Sequence, residues 1–182
     1  MGRNRVQYNT ETELLKLHTF NCRGLREGSK RRSILAWLKK YYNGIILLQE
    51  THTTHEIEQQ WIKDWKGQAY FCHGKSTSRG VAILISPNLD IEIQNIIRDK
   101  NGRFLLLDTT FQNESLIIAN VYVPTKDKKQ EQLDFLDFLH TTLAEFSDSN
   151  ILVGGDFNIC LFPHMDKKVA LKEISLLVCI NY

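Results

Sequence analysis

The sequence predicts a layered α/β fold, largely antiparallel sheet covered by helices, from three observations. Short apolar runs alternate with amphipathic ones, a strong hairpin signal joins two of the runs, and no internal repeat or linker divides the chain. With 182 residues, 42% apolar and 24% charged, the composition excludes disorder, collagen-like repeats and a disulfide-stapled miniprotein. A fold of this size buries roughly 70% of the surface its unfolded chain exposes, so one sizeable core is available.

Residues 14–20 read as a strand, and residues 30–42 as a helix with Ile34, Leu35, Trp37 and Leu38 on its apolar side and Ser29 as its cap. The Ile-Ile-Leu-Leu run at 44–48 reads as a fully buried strand, followed by a short helix at 57–65. Strand-like segments follow at 69–72, 80–85, 91–97, 103–111 and 115–122, with Asn101-Gly102 as the hairpin-turn signal. A helix at 129–146 carries Leu133, Leu136, Leu139 and Leu143, and residues 150–154 return to buried strand. Trp37, Trp61 and Trp65 fit helix faces packed on sheet. The expected division is an extension at 1–13, one domain at 14–168 and a divergent tail at 169–182. In the tail, Ala170, Leu171, Ile174, Leu177 and Val178 make an amphipathic helix.

Lys+Arg 23 against Asp+Glu 21 leaves a formal charge of +2, which neither demands nor excludes a nucleic-acid partner. Cys22, Cys72, Cys160 and Cys179 form no Cys-x-x-Cys pair, which excludes a zinc ribbon or dithiol redox motif and suits reduced thiols. No apolar run approaches the ~20 residues of a membrane span, and the N-terminus lacks a signal-peptide core. The expectation is a soluble protein of nucleus or cytoplasm, monomeric by default, with no membrane partner and no small-molecule cofactor.

Four predicted strands finish in polar residues that a core would not choose: Asn21, Gln49-Glu50, Asn120 with Tyr122, and Asp156 with Asn158. Taken singly, Asp156 also fits a turn, Glu50 the start of a loop, Tyr122 a half-buried strand aromatic and Asn21 a strand end. If the ends share one sheet edge, the set becomes a site. Extended backbone would aim Asp156 and Asn158 together and Phe157 away, and Gly154-Gly155 would permit close backbone approach. A hard divalent cation takes one or two carboxylates plus neutral oxygens and waters, which suits Glu50 with Asn21. Asp156 would then hold and deprotonate the attacking water while Asn158 and Tyr122 bond the phosphate, giving metal-assisted phosphodiester hydrolysis.

Five ordered motifs, Phe20-Asn21-Cys22-Arg23-Gly24, Leu47 to His52, Gly80 to Leu84, Asn120 to Pro124 and Gly154 to Asn158, resemble the endonuclease/exonuclease/phosphatase superfamily. Within it the chain is similar to the endonuclease domains of LINE-type retrotransposons, relatives of abasic-site endonucleases and deoxyribonuclease I. The resemblance runs from about residue 15 to about residue 166. It implies a four-layered α/β sandwich, two mostly antiparallel sheets flanked by helices, and Mg2+- or Mn2+-dependent nicking of DNA. It also implies that Asn21 and Glu50 hold metal, Tyr122 contacts phosphate, Asp156 activates water and Asn158 accompanies it.

Relatives continue past the Gly-Asp-x-Asn motif to a further aspartate and a Ser-Asp-His segment. This chain stops at Tyr182, and His164 stands too early to be that histidine. The expectation is therefore an incomplete fold with weak or absent activity. The alternatives are a catalytically dead remnant that binds DNA or a protein, or an enzyme of the same fold acting on phosphorylated lipid or small molecules. Residues 23–32 hold five basic side chains, among them Arg23, Arg26, Lys30 and Arg31, and offer a sequence-independent DNA contact beside the site or else a solvated helix start. Lys126, Lys128 and Lys129 form a second, weaker basic patch. His18 and His52 could orient site residues, although satisfied structural histidines are the commoner case.

Overall fold

The computed structural model describes residues 15–75 and 77–158 and the backbone of 178–180. One sheet takes β1 (Leu17–Asn21), β2 (Ile45–Gln49), β3 (Gln68–Cys72) and β4 (Val81–Ile85) in the order β1-β2-β4-β3. The other takes β5 (Glu92–Arg98), β6 (Phe104–Phe111), β7 (Glu114–Tyr122), β8 (Asn150–Asp156) and β9 (Val178–Ile180) in sequential order. Each sheet is antiparallel except for one parallel pair, β1 with β2 and β7 with β8.

A parallel pair needs a crossover, and helices supply both. α1 (Gly28–Tyr41) links β1 to β2, and α3 (Lys129–Ala144) links β7 to β8. Parallel pairing also brings the carboxyl ends of two strands to one edge. Asn21 stands opposite Gln49 in one sheet, and Tyr122 opposite Asp156 in the other. Of the polar strand ends noted in the sequence, Asn21 and Asp156 meet across the sheets at one rim, while Gln49 and Asn120 are buried beneath it.

Three apolar layers hold the sandwich. Between the sheets, Ile45, Leu47, Ile83 and Ile85 meet Leu105, Leu107, Leu116 and Ile118. On the outer face of the first sheet, Leu35 and Leu38 of α1 and Trp61 and Trp65 of α2 (Glu58–Trp65) cover Ile46, Leu48, Ala82 and Leu84. On the outer face of the second, Phe135, Leu139 and Leu143 of α3 cover Ile117, Ala119, Ile151 and Val153. Helix, sheet, sheet, helix is the four-layered order that the motifs implied.

Several local expectations need correction. Glu27, not Ser29, caps α1: its carboxylate accepts from the Ser29 and Lys30 backbone N–H groups at 2.8 and 3.1 Å. Trp37 is 41% exposed rather than buried on the sheet, stacking edge-on with Phe20 and tilted on Tyr42. On α3 the buried stripe is Phe135, Leu139 and Thr142-Leu143, and Leu133 faces out. The chain at Val178–Ile180 is a strand on the edge of β8, so Val178 does not end a helix. His164, Cys160 and the rest of the expected tail helix lie outside the described residues.

Candidate active site

At the shared rim, Asn21, Glu50, Tyr122 and Asp156 are joined by direct hydrogen bonds. The Asn21 amide nitrogen donates to Glu50 Oε1 and to Asp156 Oδ2, both at 2.9 Å. Tyr122 donates its phenol to the same Glu50 Oε1 at 2.8 Å. Carboxylates about a hundred residues apart in the chain thus meet across one amide group. Burial, then the Glu50 hydrogen bond, raise the Tyr122 pKa above the ordinary phenol value, so its hydroxyl remains a donor.

Local backbone explains the convergence. Glu50 leaves β2 at φ 50, in the left-handed region, which turns its side chain out of the strand alternation toward the rim. Gly155 has φ +144, and a Cβ there would lie 2.0 Å from the Val121 carbonyl oxygen, so only glycine lets β8 run so close to β7. Asn158 departs from the expected extended alternation. It sits at φ 49, its backbone N–H closes onto Asp156 Oδ1 at 3.1 Å, and its amide nitrogen donates to the Val123 carbonyl at 2.7 Å. Its side chain therefore braces the turn after β8, while Phe157 packs against the α3 layer.

The donor set suits a hard divalent ion. Among the described residues neither Glu50 nor Asp156 forms an ion pair with a lysine or arginine, and the two carboxylates share one neutral amide donor. Like charges held this close favour a cation between them, and oxygen donors fit Mg2+ or Mn2+ better than softer ions.

The basic rim differs from the sequence expectation. Arg23 and Arg26 are exposed beside the site. Arg31 is 1% exposed and bonded to Gln60 Oε1 at 2.9 Å and to the Arg26 carbonyl, with Asp64 at 3.5 Å, so it cannot meet a phosphate. It belongs to the packing of α1 on α2. Lys30 directs its ammonium to the Cys22, Arg23 and Gly24 carbonyls at 3.3, 3.2 and 2.7 Å, clamping the loop behind Asn21.

Other cations take the place that Arg31 vacates. A cleft of about 320 Å³ opens beside Glu50 and Tyr122, with Arg79, Arg103 and Lys128 on its wall. Arg103 lies over the Tyr122 ring at 5.4 Å and donates to the Tyr122 carbonyl at 3.2 Å. Burial, then the nearby Arg79 charge, lower its pKa, while Tyr122, Glu131 at 3.9 Å and Asp99 offset them in part. The sequence signal for Arg103 was slight, a charged residue opening a strand directly after Asn101-Gly102. His18 reaches only the Asn43 carbonyl at 3.3 Å and packs on Tyr42. His52 lies over Gly24, where a Cβ would meet its Nδ1 at 2.8 Å.

Comparison with known proteins agrees with this fold. Residues 18–165 match the Endonuclease/Exonuclease/phosphatase family. The chain is 33% identical over 162 residues to the Transposon TX1 uncharacterized 149 kDa protein of Xenopus laevis, covering 88% of this chain and 12% of that protein. Among solved structures, an AP endonuclease from Archaeoglobus fulgidus superposes with TM-score 0.62 at 23% identity, over 82% of this chain and 60% of the other. D. rerio TDP2 complexed with single strand DNA product superposes with TM-score 0.61 at 20% identity, over 80% and 61%. The chain thus spans about an eighth of the transposon protein and under two thirds of these structures. The two solved structures share its fold, and on the family match over most of its length the chain belongs to the endonuclease/exonuclease/phosphatase family.

Proposed function

We propose that this chain is a DNA-nicking phosphodiesterase domain of retrotransposon origin. The observation that carries the reading is the Glu50–Asn21–Asp156 bridge with Tyr122 attached. Glu50 would hold Mg2+ or Mn2+, and Asn21 would join it through its amide oxygen once that oxygen turns from the Arg23 N–H; the bound ion supplies Lewis-acid polarisation of a phosphate oxygen. Asp156 Oδ1, fixed by the Asn158 backbone N–H, orients a water and accepts its proton. The Tyr122 hydroxyl donates to a phosphate oxygen as negative charge builds there. Asn158 acts by holding Asp156. Arg79, Arg103 and Lys128, with exposed Arg23 and Arg26, would meet flanking phosphates without reading bases. The similarity to a transposon protein and to DNA-processing folds supports DNA as the substrate.

Among the described residues no histidine hydrogen-bonds Asp156 or Glu50. A missing general acid or base lowers rates by ~10²–10⁴-fold, so weak nicking is expected. The same observation favours a second reading, a remnant that binds DNA without cutting it. A supercoiled-plasmid assay separates them. Nicking that requires Mg2+ and disappears in Glu50→Ala and Asp156→Ala supports the enzyme. Metal-independent nicking, or nicking kept by both variants, overturns it, and DNA binding without nicking by folded protein selects the remnant.

A further inference from the structure

Away from the carboxylate rim, the helical turn before α2 and the loop after β3 bring His55, Glu58 and His73 together. One donor atom from each lies within 4.8 Å of the other two. His73 Nε2 stands 2.5 Å and His55 Nδ1 3.5 Å from Glu58 Oε1, and the two rings are 4.2 Å apart. His55 and Glu58 face the same way because three residues of helix separate them. His73 is held by stacking on Phe71, with ring planes 9° apart, and by Thr53 Oγ1, 3.1 Å from its Nδ1. Without an ion, Nε2–H donates to Glu58 and Nδ1 accepts from the Thr53 hydroxyl; a cation would replace the Nε2 proton, with the Thr53 hydroxyl then accepting from Nδ1–H.

We propose that His55, Glu58 and His73 bind a divalent transition-metal ion of the zinc type, at a site separate from the oxygen-rich rim. Two imidazoles with one carboxylate suit borderline ions and not Mg2+. Zinc bonds of about 2.1 Å at tetrahedral angles require donors about 3.4 Å apart. The His55–Glu58 separation already meets that value, and the other two pairs, at 2.5 Å and within 4.8 Å, lie close to it. Three protein donors leave a fourth position facing a cleft of about 440 Å³ beside Arg98 and Asp99. The ion would tie the start of α2 to the end of β3. Through Thr53, whose hydroxyl is 3.0 Å from that of Thr51, it would also brace the segment that follows Glu50.

Cobalt titration of the full chain, with Mg2+ in large excess to occupy the rim, tests the site. The wild type is expected to bind one equivalent with the visible absorption of nitrogen-ligated Co2+, and Zn2+ is expected to compete and to raise the Tm. His55 is 84% exposed, so His55→Gln keeps the fold and should weaken binding at least ~10-fold, as should His73→Gln. Glu50→Gln should leave the spectrum unchanged. Undiminished binding in His55→Gln, loss of binding in Glu50→Gln, or no nitrogen-ligated spectrum in the wild type would each overturn the assignment.

Discussion

Glu50, Arg23, His52, Arg79 and Asn158 are five of the eight non-glycine residues with positive φ among the described residues, and all five border the rim or its cleft. Side chains in that region cost on the order of 1 kcal/mol or more each, so surrounding packing must hold them there. The Glu50 segment is held by Gly24 N–H to the Glu50 carbonyl at 2.7 Å, and by the Thr51 and His52 N–H groups to Gly80 and Arg79 at 3.0 Å each. Such local strain is a cost the fold bears where side chains must leave strand alternation. Tyr122 carries the most specific expectation at this scale. Tyr122→Phe keeps the ring under Arg103 but removes the donor to Glu50 and, on the proposed function, to phosphate, and should lower plasmid nicking by roughly 10²-fold with little change in DNA affinity. An equal loss in affinity and rate would instead assign the phenol to ground-state binding.

At the scale of elements, register and capping decided details that periodicity left open. The turn after β5 is not the two-residue type that Asn101-Gly102 suggests. It is a five-residue loop closed by Asp99, whose Oδ1 accepts from the Arg103 and Phe104 N–H groups at 2.8 and 2.9 Å while Oδ2 accepts from Asn101 at 2.9 Å. Gly102 (φ +68) is required there because a Cβ would lie 2.4 Å from the Gly74 nitrogen of the neighbouring loop. Cys72, the last residue of β3, donates its thiol to the same Asp99 across the two sheets. Burial and then the Asp99 charge push that thiol up to about 12. An unfolded thiol ionises near 8.5, so the folded state alone keeps the proton above that pH. Stability should be insensitive to this group below pH ~8.5 and then fall by up to about 1.4 kcal/mol per pH unit as pH rises toward 12. Urea denaturation of wild type and Cys72→Ala at increasing pH checks this, and the variant should show a shallower decline between pH ~8.5 and ~10, before raised tyrosines such as Tyr122 contribute.

At the scale of the whole molecule, a buried amide clasp joins the sheets beneath the rim. Asn120 on β7 donates to the Leu48 and Ala82 carbonyls at 3.0 and 2.8 Å, and accepts from Gln49 Nε2 at 2.8 Å. Both amides are essentially without solvent contact, so their partners have no water to replace them. Asn120→Ala should destabilise by roughly 2–4 kcal/mol, read as a lower urea midpoint at unchanged m-value. It should also weaken nicking, because Gln49 precedes Glu50. The same clasp shows how far sequence reading reached. Strand and helix order was legible because burial imposes periods of 2 and 3.6 on apolar residues. Polar strand ends stood out against the apolar runs, although the structure sets Gln49 and Asn120 inside the core and only the others on the rim. The exchange of Arg31 for Arg103 was not, since both are charged residues beside apolar runs, and only the packing of α1 on α2 buries one while the β5–β6 loop delivers the other to the cleft. The inward stripe of α3 likewise depended on which face its crossover turned to the sheet. Local chemistry along the chain thus determined the elements, the layers and the residue types able to hold a cation. Which of those residues touch was decided by two parallel strand pairs and the sheet-to-sheet contact, because hydrogen bonds between positions a hundred residues apart depend on register, and register exists only once the sheets have formed.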